Sequence, residues 1–287
     1  MKKINSFIVV GGDSRQLYMA EYLNSLGYKI QIYGLPEKNL KCVTNIKDAI
    51  SESDGIIFPL PVTRDNKYIF SIVPMKETAD DIFSMINRNQ PIFAGMITKS
   101  FDVRLRKKSE FVYDYFKRED VTVMNTVPTV QGILKVIIDN IDYTVHSSKC
   151  AVFGYGRVAK LTAEILDSLG ADITVVARKS GDIATAKTKG LNSVFISDFK
   201  NCADEFDIIV NTVPSLVIDR NILEKLKKDC LIIDVASAPF GTDFAVAYEL
   251  GLKALQSSSL PGKVAPKTAG KIIADGIINI IKEGEYE

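Results

Sequence analysis

Short apolar runs, rich in β-branched residues, alternate along this chain with longer segments whose apolar positions recur at helical spacing. Such runs stand at 7–10, 29–33, 55–58, 91–94 and 121–124, and again at 149–153, 172–176, 193–196, 207–210, 231–234 and 254–255. They are short, and apolar at consecutive positions, which predicts strands covered on both faces in parallel sheets. The periodicity between them predicts helices near 15–26, 76–88 and 102–117 in the first half. The pattern occurs twice, so the expected fold is α/β, with two doubly wound domains.

Two further helices tie the halves together. At 129–140, Val130, Ile133, Leu134, Ile137 and Ile138 form one apolar stripe after Pro128, which presets the backbone for a helix start. At 267–282, after Pro266, Ile272, Ile273, Ile277, Ile280 and Ile281 form another, and a closing helix of this kind is expected to pack back on the first domain. The expected organisation is therefore a substrate-side domain at 1–127 with the final helix 266–287, a bridging helix and linker at 128–146, and a second domain at 147–265. An interdomain cleft is the expected site of chemistry.

Composition narrows the ligand class. The chain has 287 residues, 46% hydrophobic and 25% charged, and its 36 Lys+Arg against 35 Asp+Glu leave a net charge of +1. That length suits two domains, and the balance, without long basic runs, argues against a nucleic-acid protein and for small-molecule ligands. Cys42, Cys150, Cys202 and Cys230 form no C-x-x-C pair, so neither a zinc site nor a redox dithiol is expected, and a reducing cytoplasm fits best. The apolar run after Met1, Lys2 and Lys3 stops at Gly11 and Gly12, and no uninterrupted apolar segment reaches the roughly 18 residues of a membrane helix. No targeting segment or membrane association is expected.

One motif carries specific chemistry. Gly154, Tyr155, Gly156, Arg157, Val158 and Ala159 form a G-x-G-x-x-A element that directly follows a predicted strand and opens a helix. In that context the first glycine permits the tight turn and the second a close approach of backbone to a pyrophosphate. The small Ala159 allows the helix to pack closely on its strand, so the segment predicts a Rossmann-like dinucleotide site. The next strand ends in Arg178, Lys179 and Ser180, where an NAD enzyme usually carries an acid for the ribose hydroxyl; cationic groups there favour a 2′-phosphate, hence NADP, with NAD as the alternative. Thr212, Val213 and Pro214 after the fourth strand of this half, and Ala236 and Ser237 after the fifth, stand at carboxyl strand ends and are expected beside the ribose and nicotinamide.

The first domain opens with Gly11, Gly12, Asp13, Ser14, Arg15 and Gln16 between strand and helix, an anion-binding turn without dinucleotide spacing. Arg15 with the turn's amides is expected to hold a substrate carboxylate and Asp13 to be available for proton transfer, with a helix cap as Asp13's plainer role. The only histidine, His146, precedes a strand and so lies at the end opposite the ligand-binding edge, which weakens any catalytic role for it.

Several segments together resemble the dipicolinate synthase A-chain family: 11–16, 125–132 (Asn-Thr-Val-Pro-Thr-Val-Gln-Gly), 142–146, 154–157, 211–215, 241–244 and, most specifically, Leu-Pro-Gly-Lys-Val-Ala-Pro-Lys-Thr-Ala-Gly at 260–270. The resemblance spans nearly the whole chain. It implies NAD(P)-dependent oxidation of dihydrodipicolinate to dipicolinate, a branch from the lysine/diaminopimelate pathway used in the mother cell of a sporulating bacterium, with the flavoprotein-like B chain of dipicolinate synthase as partner. A homo-oligomer is also expected. Two substrate carboxylates require fixed donors, and Arg15, Lys263 or Lys267, Thr268 with the amides after Pro266, and Thr129 and Gln131 at the bridging helix are the candidates. Val264 and Ala265 are placed on the cofactor side.

Two alternatives stay open at this stage. The Pro-Leu-Pro run at 59–61, Pro128 with Thr129, and the 261–266 segment also look like elements of methylenetetrahydrofolate dehydrogenase, although that family lacks a G-x-G-x-x-A turn. A non-catalytic scaffold or regulatory protein that binds NADP is the other.

Overall fold

The structure is a computed structural model that describes residues 4–37 and 39–284. Residues 1–3, and 285–287 at the end of the expected closing segment, lie outside the described residues. In chain order the regular elements are β1 (Ser6–Val10), α1 (Ser14–Ser25), β2 (Lys29–Tyr33), β3 (Lys41–Cys42), α2 (Ile46–Glu52), β4 (Gly55–Ile57), α3 (Ala79–Ser84), β5 (Ile92–Ala94), α4 (Lys99–Arg106), β6 (Val112–Asp114), α5 (Glu119–Met124), α6 (Thr126–Ile138), β7 (Lys149–Phe153), α7 (Arg157–Ser168), β8 (Asp172–Ala177), α8 (Ser180–Thr188), β9 (Asn192–Phe195), β10 (Ile208–Asn211), α9 (Arg220–Leu223), β11 (Leu231–Asp234), α10 (Phe244–Glu249), β12 (Lys253–Gln256), α11 (Leu260–Val264) and α12 (Pro266–Lys282). The chain divides into two compact units, Met1–Asn125 with Ala265–Glu287, and Thr126–Val264.

Each unit is built on one parallel six-stranded sheet, as the alternating pattern implied. The strand order is β3-β2-β1-β4-β5-β6 in the first unit and β12-β11-β10-β7-β8-β9 in the second. Both are the doubly wound order, which reverses direction between β1 and β4 and between β7 and β10. Such reversals leave a crevice at the carboxyl ends of the strands. Alternate residues of β1 feed two cores: Phe7 and Val9 pack with Met19, Leu23, Ile273 and Ile277 on one face, while Ile8 and Val10 pack with Ile50, Phe83 and Phe101 on the other. The second unit repeats the plan, with Cys150 and Val152 facing Ile133, Ile137, Ala163 and Leu166, and Ala151 and Phe153 facing Phe199, Ile222 and Leu223.

Several expectations need correction. The run 121–124 is helix α5 and not a strand: Glu119 and Asp120 occupy its first turn, where acids favour a helix start, and Val121 is buried. The helix expected over 102–117 ends at Arg106, and Val112–Asp114 forms β6 on the edge of the sheet, paired with β5. The helix expected at 76–88 shortens to α3, which opens with a capping box between Thr78 and Asp81. Strand β3 and helix α2 are additions to the expected elements, because a two-residue exposed strand and a seven-residue helix carry little periodicity. Helix α6 starts at Thr126, so Pro128 lies inside its first turn; Val130, Ile133, Leu134 and Ile137 of its stripe pack in the core of the second unit, while Ile138, expected on the same stripe, is exposed.

The helical stretch Glu119–Ile138 is long and apolar enough to cross a membrane by length and composition. Its charged Glu119, Asp120 and Lys135 interrupt the apolar run in the sequence, and it buries Val121, Val130, Ile133 and Ile137 in the fold. Helix α12 lies in the first unit against α1. A Cβ at Gly270 would come within 2.5 Å of the Arg15 carbonyl oxygen and 2.8 Å of the Met19 nitrogen, so the two helix backbones approach as closely as only glycine permits.

Candidate active site

In the second unit the turn from β7 into α7 is built on two glycines, Gly154 and Gly156. Gly154 has a φ of +94°, and a Cβ there would stand 2.6 Å from Thr212 Oγ1 and 3.1 Å from Val213 Cγ2. Gly156 is the N-cap of α7 in extended conformation and supplies no side-chain cap, and a Cβ there would meet nothing within 4 Å. The 12-residue helix α7 thus starts without a side-chain cap, and amides at such a start are groups that can receive an anion. The other motif positions serve the turn through packing: Ala159 is fully buried, and Tyr155 and Val158 sit in or against the core.

Arg178, Lys179 and Ser180 follow β8 and are all exposed; Lys179 is the N-cap of α8 and Ser180 its first residue. Among the described residues neither Arg178 nor Lys179 makes an ion pair, and no acid stands in these three positions. Thr212 anchors the neighbouring loop, its Oγ1 donating to the Phe153 carbonyl at 2.8 Å, and Pro214 is exposed. Of the two positions named after β11, Ala236 is buried and Ser237 exposed. Val264 ends α11, half-buried, and Ala265 is the N-cap of α12 without a side-chain cap.

Asn211 and Asp234 open the two segments expected beside the ribose and nicotinamide; both are fully buried at the last positions of adjacent strands and hydrogen-bonded to each other at 2.9 Å. The sequence does carry a signal for them: each is the one polar residue closing an otherwise apolar strand.

The first unit departs from expectation at its own turn. The amides of Gly11, Gly12 and Asp13 donate to Tyr33 O at 2.8 Å, Phe70 O at 2.7 Å and Gln16 Oε1 at 3.0 Å. Arg15 is 6% exposed and grips the Asp13 carboxylate through Nε at 3.0 Å and Nη2 at 2.8 Å, with Nη2 also donating to Leu60 O at 2.5 Å. Asp13 meanwhile caps α1 by accepting from the Arg15 amide at 2.9 Å. Arg15 Nε and Nη2 and the amides of residues 11–13, expected to hold a substrate carboxylate, are thus bonded within the unit, and Asp13, expected as a proton-transfer group, has both oxygens engaged. Tyr115 is wholly buried and donates to Phe58 O at 3.1 Å; burial pushes its phenol far above the ordinary range, so it stays a donor. The connection 58–78 thus supplies carbonyl acceptors, Phe58 O, Leu60 O and Phe70 O, to Tyr115, Arg15 and the Gly12 amide.

Lys267 and Thr268 are exposed in the first turn of the 17-residue α12. Together with Tyr18, Glu21, Tyr22, Ser25 and Lys271 they line a cavity of about 400 Å³ within the first unit. Thr129 and Gln131 do not sit at a helix start as expected. Because α6 begins at Thr126, they are its fourth and sixth residues, with Thr129 half-buried and Gln131 exposed. No group of three His, Cys, Asp or Glu among the described residues could hold a metal ion.

Comparison with known proteins bears on both units. Residues 6–116 match the N-terminal domain of the dipicolinate synthase A chain, and residues 138–258 match the NAD binding domain of D-isomer specific 2-hydroxyacid dehydrogenases. The chain is 32% identical over 286 residues to the dipicolinate synthase A chain of Bacillus subtilis (strain 168), covering 97% of this chain and 96% of that one. The crystal structure of dipicolinate synthase, A chain, from Bacillus subtilis superposes with a TM-score of 0.86 at 31% identity, over 99% of this chain and 97% of that chain. The crystal structure of the corresponding A chain from Bacillus halodurans gives a TM-score of 0.86 at 30% identity, over 96% and 97%.

Proposed function

The chain belongs to the dipicolinate synthase A-chain family, and from that membership we propose that it oxidises dihydrodipicolinate to dipicolinate with NADP as the hydride acceptor. Its NAD-binding dehydrogenase domain makes it a nicotinamide-dependent oxidoreductase in type; the substrate and the preference for NADP are our addition. The observation that carries the reading is the glycine cradle before the uncapped α7, with Arg178 and Lys179 exposed at the end of the next strand.

Aromatising a dihydropyridine dicarboxylate removes one hydride and one proton from the ring. A bound nicotinamide supplies the hydride acceptor. The amides opening α7 would hold the pyrophosphate, and Arg178, with Lys179 and Ser180 nearby, the 2′-phosphate. Thr212 to Pro214 and Ala236 with Ser237 would flank the ribose and nicotinamide, with Val264 and Ala265 on the cofactor side. Lys267 and Thr268, with the first free amides of α12, would bind a substrate carboxylate, and Thr129 and Gln131 form the second candidate set. Asp13 and Arg15 act in this reading as a fixed pair that shapes the first unit's turn, and the released proton goes to water.

The relatives are named as one component of a synthase, which supports a partner, the B chain of that synthase; we include a homo-oligomeric state and a cytoplasmic place in sporulating cells in the same proposal. Family membership displaces the folate-dehydrogenase alternative. The test is a steady-state assay of the purified chain with dihydrodipicolinate and either NADP or NAD. Turnover by the isolated chain with the lower KM for NADP is expected; absence of turnover with and without the B chain, despite cofactor binding, would return the scaffold reading.

A further inference from the structure

The ends of β10 and β11 carry a buried polar lock that the apolar core does not need. Asn211 and Asp234 stand opposite each other in register and are fully buried. The Asp234 carboxyl group accepts three donors: the Ala236 amide on Oδ1 at 3.0 Å, and the Gly241 amide and Asn211 Nδ2 on Oδ2, both at 2.9 Å. Asn211 closes its own loop as well, accepting from the Val213 amide at 3.0 Å and donating to the Val213 carbonyl at 3.1 Å. A buried carboxyl group costs free energy unless fully hydrogen-bonded, and here it ties down the first and last turns of one loop together with the neighbouring loop.

The tied loop is strained. Phe240 has a φ of +69°, a left-handed conformation that a bulky side chain adopts only when its surroundings enforce it. Between the two tie points Ser237, Ala238 and Pro239 are exposed at the carboxyl edge of the sheet. The loop after β10 borders the glycine cradle, since Thr212 and Val213 are the groups a Cβ at Gly154 would strike.

We infer that Asp234 and Asn211 are positioning residues that hold the loops 212–215 and 235–241 in a fixed, partly strained shape against the nicotinamide half of the dinucleotide. The inference rests on the reading that the second unit binds a nicotinamide dinucleotide. Hydride transfer demands a ring held to a fraction of an ångström, and two loops bound to one buried carboxyl group provide such rigidity where free loops do not. Asp234→Asn keeps the shape but offers a single acceptor and an opposing NH₂ to three donors.

The test is calorimetric titration of the full chain with NADP and with 2′-phospho-ADP-ribose, which lacks only the nicotinamide. Asp234→Asn is expected to weaken NADP about tenfold and to leave the fragment's affinity unchanged. Equal weakening of both ligands, or of neither, would overturn the inference. A wild-type chain that binds neither would instead overturn the dinucleotide reading on which it stands. Hydrogen exchange on the wild-type chain requires no variant to fold: the Ala236 and Gly241 amides are expected to be slower with NADP than with the fragment, and equal protection by the two would contradict the proposal.

Discussion

Arg178 is an exposed guanidinium at a strand end, without an ion pair among the described residues, and in the proposed function it is the group that selects NADP over NAD. If it binds a 2′-phosphate, Arg178→Ala removes charge-assisted hydrogen bonds worth about 1.5–3 kcal/mol, so the KM for NADP rises by about 10- to 100-fold while that for NAD is unchanged. Steady-state kinetics with both cofactors checks this directly. Lys267→Met keeps the length of the side chain and removes its charge, and is expected to raise the KM for the dicarboxylate about tenfold with cofactor affinity intact, as measured by parallel substrate and cofactor titrations. At this scale the glycine turn was legible, because Gly154 and Gly156 act through backbone geometry that a local motif encodes. Asp13 and Arg15 are deceptive for the opposite reason. A glycine turn followed by Asp and Arg has one local pattern whether it receives a ligand or is satisfied internally, and the groups that settle it, Leu60 O and Phe70 O, come from some 45 to 60 residues away in the chain.

Among the elements, α12 shows how packing overrides local pattern. Its small residues let it lie on α1, and Gly270→Ala would force the two backbones apart; a loss of about 1–3 kcal/mol is expected, read as a lower denaturation midpoint at unchanged slope. The end of α12 is tied to α5 by a charged cluster: Asn279 Nδ2 donates to Asp120 at 2.9 Å, and Arg118 bridges Asp120 at 2.9 Å and Glu283 at 2.7 Å. Chiefly the Arg118 hydrogen bond holds the Asp120 carboxyl group at about 2, below its ordinary 3.8. A carboxylate lowered on folding stabilises above its unfolded value and loses that contribution as pH falls through its folded value. The melting temperature should therefore drop between about pH 4 and pH 2, and the drop should be smaller in Asp120→Asn; solvent screening of this half-exposed pair keeps the difference modest. The same cluster explains why 121–124 is a helix where its composition suggests a strand. A short β-branched run reads equally as strand or buried helix, and the acids before it and the partner α12, more than 140 residues later, decide. Likewise β6 hides in an amphipathic stretch because only pairing with β5 distinguishes its three residues from a helix.

For the molecule as a whole, the doubled fold was legible because buried parallel strands leave long apolar runs that survive any choice of loop. What the doubling conceals is an inequality. Both sheets reverse at the same topological point, yet the first helix start is capped by Asp13 with Arg15 paired to it, while the second has no side-chain cap. In the proposed function one unit thereby takes the cofactor and the other is left to serve the substrate. The central claim, that this chain itself takes a hydride from dihydrodipicolinate, is tested most directly by isotope transfer. Dihydrodipicolinate deuterated at its saturated ring carbons is mixed with NADP and the isolated chain, and the dinucleotide and product are analysed together by mass spectrometry. Deuterium in NADPH in equimolar amount with dipicolinate is the predicted result; dipicolinate formed without label in the nicotinamide, or only at the rate of a heat-killed control, would contradict it.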